Sequence, residues 1–441
     1  MSQRKMLVIG LDCASPRLIF EDFKAELPHL DSLMGNGLYG NLRSSMPPIT
    51  VPAWMVMYSG LHPGKFGLYG FRHRKNTSYT DIWIATPRSV QVPKIWDILA
   101  QDGRKSCVFA VPPGYPPPPI NGWYVSCFLT PSSKSPYTHP SELKTELEAE
   151  FEPYIPDIDY RSGDRDNIKI QLFKMLDNHM QMIKYLIRKK PWHFFALVEI
   201  GVDRVHHAFW RFHDRSHHLH EPNSPYKHVI RDYYKAVDKH IGEILNLVDD
   251  DTYILVASDH GVKSMKGAFC INEWLVQEGY LVLNEKPSEQ VSLSKANIDW
   301  DKSKAWGWGG YYSRVFLNVK GREEKGVIDP KDFDSELETL RRKLLEIPDN
   351  NGHPMENLVI RPDEYYSKPI GDYPDLMVIF DDLRWRAAGT LGHASPYLLE
   401  NDIGSDDAMH DWNGMYILYD PKQRLAKGRV DARIEDIAPT I

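Results

Sequence analysis

The sequence predicts an α/β protein: a three-layer, doubly wound, mostly parallel central sheet with helices on both faces, and an inserted α+β subdomain. Three stretches carry this reading. Met6–Asp12, Trp192–Ile200 and Tyr253–Gly261 are short apolar runs, and each ends at or just before an aspartate or glycine. Such runs, lacking polar alternation, read as strands buried on both faces, as central parallel strands are. Between them lie segments of helical spacing, above all Asn167–Lys190 and Tyr226–Val248, so strands and helices alternate as βαβ units require.

In chain order, Met6–Asp12 is the first strand, with Asp12 at its carboxyl end. Phe20–Gly37 is expected to be a helix that stops on glycine, since Leu30, Leu33 and Met34 follow Pro28 at helical spacing. Pro47 and Pro48 forbid helix before Ile49, while Pro52 suits the first turn of a helix beginning near Thr50. Ser59–Gly70 is rich in glycine but matches neither a P-loop nor a dinucleotide fingerprint. It leads into Phe71–Lys75, where Arg72 and Arg74 are either a solvated basic face or contacts to a phosphate. Residues 93–112 fit a helix and then a strand.

Pro112–Pro119 holds six prolines in eight residues and must be irregular. The whole 112–165 stretch is expected to be a Pro-rich excursion near the site. After the strand Trp192–Ile200 comes Gly201-Val202-Asp203. A helix starting there puts Asp203 and His207 on one face and turns His206 away. His213, His217, His218 and His220 read as a solvated loop. Residues 263–267 read as a loop and Asn272–Gly279 as a short helix. Residues 286–370 are charged and loop-rich, with one strand (Arg314–Val319) and one helix (Phe333–Ile347), and read as an inserted cap-like subdomain. Asp375–Asp381 is expected to return to the core as a strand, which makes 1–285 and 371–441 the core. A helix that has barely begun at Ile441 leads to the expectation that the natural chain continues.

The 441 residues are 42% apolar and 26% charged, an ordinary globular composition for one large domain with insertions or for two domains. A net charge of −7 gives no reason to expect nucleic acid or an anionic membrane as partner. The four cysteines, Cys13, Cys107, Cys127 and Cys270, fit neither a zinc ribbon nor a disulfide framework. No stretch approaches the ~18–20 apolar residues of a membrane span. Met6–Leu11 is too short for a secretory core, so the expected location is cytoplasmic.

Three strand ends deliver Asp12, Asp203 and Asp259 toward the rim where an open α/β sheet binds ligands. His207 and His260 stand beside two of them, and Thr50 sits at the positive end of a helix, where a phosphate is stabilised. Taken singly, each has a plainer explanation: aspartates begin turns, threonines cap helices, and histidines lie exposed. Taken together they suit two hard-to-borderline cations and a hydroxyl that needs activation.

Leu11-Asp12, Pro48-Ile49-Thr50-Val51-Pro52, Gly201-Val202-Asp203 with His207, Ser258-Asp259-His260-Gly261, His410 with Gly414, and Asp436–Thr440 resemble the alkaline phosphatase superfamily. The branch is that of the type I phosphodiesterases and nucleotide pyrophosphatases, with related phosphohydrolases and phosphomutases. The resemblance implies an alkaline phosphatase-like fold, one ion held by Asp203, His207 and His410, and a second held by Asp12, Asp259 and His260. It implies Thr50 as the nucleophile, bridging to the second ion and transiently phosphorylated. His410 fits the pattern better than His393, because a glycine and a strand follow it. The ions implied are zinc, with manganese as the alternative, and the partner is a small phosphate ester or diester such as a nucleotide. One departure stands out: where the pyrophosphatase branch carries an asparagine, this chain has Phe71 or Arg72, so Arg72 is the expected substrate contact. The alternatives within the superfamily are a phosphomutase and a phosphomonoesterase. A non-catalytic metal-binding protein is the alternative outside it.

Overall fold

The computed structural model describes residues 4–441. They divide into two compact units. The first comprises residues up to Phe66, Ala85–Val262 and His410–Ile441, and the second comprises Gly67–Ile84 and Lys263–Met409.

The first unit is built on a ten-stranded sheet. At its centre Lys5–Leu11 lies parallel to both Phe194–Glu199 and Thr252–Ala257. Every residue of Phe194–Glu199 is buried, so the sheet is covered on both faces, which is why these strands read as unbroken apolar runs. Ser106–Phe109 and Gly122–Val125 extend the parallel order on one side. On the other side, Asn413–Tyr419 runs antiparallel between Thr252–Ala257 and Leu38–Arg43. The sheet is therefore mixed, with most pairings parallel.

The connecting helices follow the local signals. Arg165–Lys189 is capped by Asp164, whose carboxylate accepts from Asn167 N–H at 3.1 Å, and its last turn carries Arg188 and Lys189. Thr50–Ser59 begins after the extended Ile49 and ends on Gly60 at φ 71°, a left-handed closure that glycine adopts without cost. Gly201–His213 is buried along almost its whole length and packs against Arg165–Lys189 and Val229–Leu245. No helix among the described residues is long and apolar enough to cross a membrane.

Several expectations need correction. Phe20–Gly37 is not one helix: short turns at Leu18–Asp22 and Lys24–Glu26 precede the α-helix Pro28–Asn36, because Pro28 resets the start. The 112–165 stretch is only partly an excursion. Its strands Gly122–Val125 and Thr138–His139 belong to the main sheet, and Glu142–Glu150 is helical. Residues 263–267, expected as a loop, instead include the end of the strand Gly261–Ser264 and the start of the strand Gly267–Cys270.

The second unit is wider than the 286–370 insertion read from the sequence. Leu376–Ile379, the strand within Asp375–Asp381, does not return to the core. It pairs antiparallel with Ser313–Leu317 and with Leu358–Ile360 in a four-stranded sheet completed by Ala305–Trp308. A buried apolar run looks the same in either sheet, and only its partners decide where it belongs. A hairpin, Arg72–Arg74 with Ile82–Ile84, joins this unit. It is held there by Arg74, which pairs with Glu323 at 3.0 Å and Asp372 at 2.7 Å.

Candidate active site

The carboxyl ends of the central strands bring Asp12, Asp203, Asp259, His207, His260 and His410 together, all buried in the first unit. Thr50 stands with them at the first residue of its helix, with Oγ1 3.5 Å from His260 Nε2. Its side chain caps nothing, so the plain helix-cap explanation falls away.

Each aspartate has one oxygen tied to a donor. Trp54 Nε1–H donates to Asp12 Oδ2 at 2.7 Å, and the Cys13 backbone N–H donates to Asp259 Oδ1 at 3.2 Å. The other oxygens, Asp12 Oδ1 and Asp259 Oδ2, accept no hydrogen bond although fully buried. Both flank the same atom: His260 Nε2 lies 3.7 Å from the first and 3.3 Å from the second. For Asp203, the Arg204 guanidinium holds Oδ2 at 2.7 Å, while Oδ1 lies 3.1 Å from His207 Nε2 and 3.8 Å from His410 Nε2.

The imidazoles are oriented in the same way. His260 Nδ1–H donates to Gly261 O at 3.1 Å and His410 Nδ1–H donates to Pro48 O at 2.8 Å, and the two rings stack 3.7 Å apart. Both Nε2 lone pairs are thereby turned toward the carboxylates. Burial pushes the His260 pKa down to about 4 and that of His410 well below its ordinary value, so both rings are neutral at pH 7.

Burial, followed by repulsion from neighbouring carboxylates, raises the Asp12 and Asp259 pKa values well above the ordinary range. At Asp203, burial acts in the same direction but is outweighed by His207, Arg204 and His410, and the net shift is downward. Three carboxylates and three imidazoles converge where all six are buried, with two carboxylate oxygens orphaned. That donor set fits divalent cations, which would satisfy the orphans and offset the repulsion. Two groups have donor atoms close enough to share an ion: Asp12, Asp259 and His260, and Asp203, His260 and His410. The first is the set expected from the sequence. In the second, His260 takes the place expected for His207, which remains bonded to Asp203.

Two other candidates belong to the second unit. His393 lies in the second unit with Nε2 bonded to Thr390 Oγ1 at 2.8 Å. Arg72 is also in the second unit, exposed at the head of the hairpin, and its carbonyl accepts from the Arg314 guanidinium.

Sequence reasoning missed Trp54, Cys13 and Arg204. Trp54 was accessible to it, since Thr50 and Trp54 are four apart and share a helix face. Cys13 was not, because its role rests on a left-handed backbone, φ 63°, that aims its N–H at Asp259. The Trp54 ring lies directly over Gly10, where an added Cβ would sit 2.5 Å from Trp54 Cη2 and 2.7 Å from Leu197 O. Gly10→Ala is therefore expected to destabilise the fold by about 1–3 kcal/mol, read as a lower Tm. An unchanged Tm would mean that the Trp54–Asp12 pair is not packed as described.

The sequence pattern of the type I phosphodiesterase / nucleotide pyrophosphatase family matches residues 6–413. No curated protein matches the chain in sequence. Among solved structures, the chain is similar to human ectonucleotide pyrophosphatase / phosphodiesterase 5, with TM-score 0.57 and 13% identity over 99% of this chain and 93% of that one. The murine protein is similar at TM-score 0.56 and 13% identity, over 99% of this chain and 94% of that one. An inactive threonine-to-alanine variant of the murine protein, in complex with AMP, matches at TM-score 0.56 and 13% identity, over 99% of this chain and 93% of that one. At that identity the likeness speaks to the fold, which is alkaline phosphatase-like. The family match spans nearly the whole chain, and the chain belongs to the type I phosphodiesterase / nucleotide pyrophosphatase family of phosphoric ester hydrolases.

Proposed function

We propose that the protein hydrolyses a phosphodiester or nucleotide pyrophosphate with the aid of two divalent cations, through a covalent phosphate on Thr50. The observation that carries this is the pair of orphaned oxygens, Asp12 Oδ1 and Asp259 Oδ2, both beside His260 Nε2, which itself stands 3.5 Å from the Thr50 hydroxyl. Asp12, Asp259 and His260 would hold one ion, with Thr50 beside it. Asp203, His207 and His410 would hold the other. Such ions supply positive charge that lowers the pKa of a bound hydroxyl and neutralises phosphoryl oxygens. Zinc suits the mixed oxygen and imidazole donors best, and manganese is the alternative.

The chain's own residues do the rest. The helix Thr50–Ser59 presents its amino end, whose first amide hydrogens lack intrahelical acceptors, to an incoming phosphate. Thr50 Oγ1 attacks phosphorus, the ester oxygen leaves, and water later cleaves the Thr50 phosphate. Neutral His260, held in its tautomer by Gly261 O, turns its one free lone pair, on Nε2, to the side where Asp12 Oδ1 and Asp259 Oδ2 lie, so that it serves as an ion ligand beside Thr50 and not as a base. The relative that holds AMP, and whose threonine-to-alanine form is inactive, supports a nucleotide-like substrate and a threonine nucleophile.

The test is metal analysis coupled to a panel of diester, monoester and pyrophosphate substrates. We expect two zinc or manganese ions per chain and turnover fastest on a diester or pyrophosphate. Chelation should abolish turnover and lower Tm, since an ion present at about 100 times its Kd stabilises the fold by ~2.7 kcal/mol. Phosphate retained on the substrate in a new position would identify a mutase instead.

A further inference from the structure

The irregular stretch 153–159 has no regular secondary structure, yet it is fastened to the helices at the site. Ile155 N–H donates to Asn178 Oδ1 at 3.0 Å, and His179 Nε2–H donates to Ile155 O at 2.7 Å. Two residues on, the Asp157 carboxylate accepts two bonds from Arg204, from Nε at 2.9 Å and from Nη2 at 2.7 Å. The third guanidinium nitrogen, Nη1, donates to Asp203 Oδ2 at 2.7 Å. The Arg204 guanidinium lies over two rings, Tyr160 at 4.7 Å and Phe128 at 5.1 Å, and Arg204 is only 8% exposed. Tyr160 in turn stands 5.9 Å from the His207 ring.

We propose that Arg204 is a positioning residue for the Asp203 carboxylate, and that Asp157 is the anchor that holds Arg204 in place. The inference rests on the metal-centre reading above. Arg204 is planar and forked, so an Asp157 carboxylate engaged on one edge fixes the direction of the remaining nitrogen. By occupying Oδ2, Arg204 leaves Oδ1 facing His207 and His410, 3.1 Å and 3.8 Å from their Nε2 atoms. Partners of this kind orient a ligand and tune its affinity for metal.

A cation beside a metal ligand also has the opposite possible effect, and the two effects differ in sign. If Arg204 only damped the charge of Asp203, then removing it would tighten metal binding. If it positions the carboxylate, removing it loosens metal binding. Asp157→Asn tests the anchor without touching the guanidinium, and the Asp157 side chain is 26% exposed, so the change is tolerated by the fold.

The experiment measures zinc and manganese affinity of the full chain against a chromogenic chelator, with kcat, KM and the metal-free Tm recorded alongside. It uses wild type, Asp157→Asn, Arg204→Gln and the double variant. We expect each single variant to bind one of its two ions ~10-fold to ~100-fold more weakly. The double variant should be no weaker than the worse single, and kcat should fall with KM unchanged. Asp157→Glu should restore most of the affinity. Tighter binding in Arg204→Gln, unchanged affinity in Asp157→Asn, or additive losses would overturn the inference while the metal-centre reading stands. A wild-type chain that takes up neither metal would overturn that reading and the inference with it. Should Arg204→Gln fail to fold, Asp157→Asn and Asp157→Glu decide alone.

Discussion

Thr50→Ala is expected to lower turnover of a phosphodiester by roughly 10³-fold or more while leaving both ions bound. The size follows from removing the attacking atom: no other hydroxyl is placed by this helix at the position of Thr50 Oγ1, 3.5 Å from His260 Nε2. The fold should tolerate the change, because the Thr50 side chain caps nothing and the helix start is set by the extended Ile49 and by Pro52. Thr50→Ser, which keeps the hydroxyl, should retain measurable turnover. A phosphorylated protein trapped by rapid acid quench in wild type, and missing in Thr50→Ala, would mark the covalent step. Equal rates in wild type and Thr50→Ala would sink the assignment.

Asp259→Asn is expected to cost one ion per chain and to lower turnover by more than the ~10–100-fold that follows loss of a supporting partner. The same change should raise the Tm of the metal-free protein. Asp259 is fully buried and its ionisation is disfavoured, first by burial and then by Asp12. A carboxyl whose folded pKa is raised costs stability when ionised, and that cost is present at neutral pH. Asparagine keeps the shape and can still accept from Cys13 N–H, but it carries no charge. The two chains should therefore exchange rank: the variant melts higher without metal and the wild type melts higher with it. If the wild type melts higher in both states, the carboxylates are not strained in the metal-free fold and the case for an ion between them weakens.

How far the sequence reveals this site depends on what kind of signal each residue leaves. Asp12 and Asp259 were legible because a strand buried on both faces is a conspicuous apolar run with its carboxyl end at the rim, and Asp203 because it lies in the first turn of the helix that follows such a run. Thr50 was legible through the prolines around it. The ligand sets came from resemblance, and the alternative grouping of His260 with Asp203 and His410 shows that sequence spacing does not apportion imidazoles between two adjoining sites. The edges of the second unit were not legible, since Leu376–Ile379 carries the same apolar pattern as a central strand and differs only in which strands it meets. Arg204 and Cys13 were missed for a related reason: what they do is set by a partner remote in sequence, Asp157 for one and Asp259 for the other.

The placement of Asn413–Tyr419 bears on how the chain is made. This strand is made well after both of its neighbours, yet it lies between them in the sheet, with Leu38–Arg43 on one side and Thr252–Ala257 on the other. Until it emerges, a growing chain exposes the edges of both neighbours and lacks His410. Nascent chains are thus open to edge-to-edge association until that strand is made. The pairing and the site would then be completed together, because the short strand Ala408–Asp411, which carries His410, directly precedes Asn413–Tyr419 in the chain.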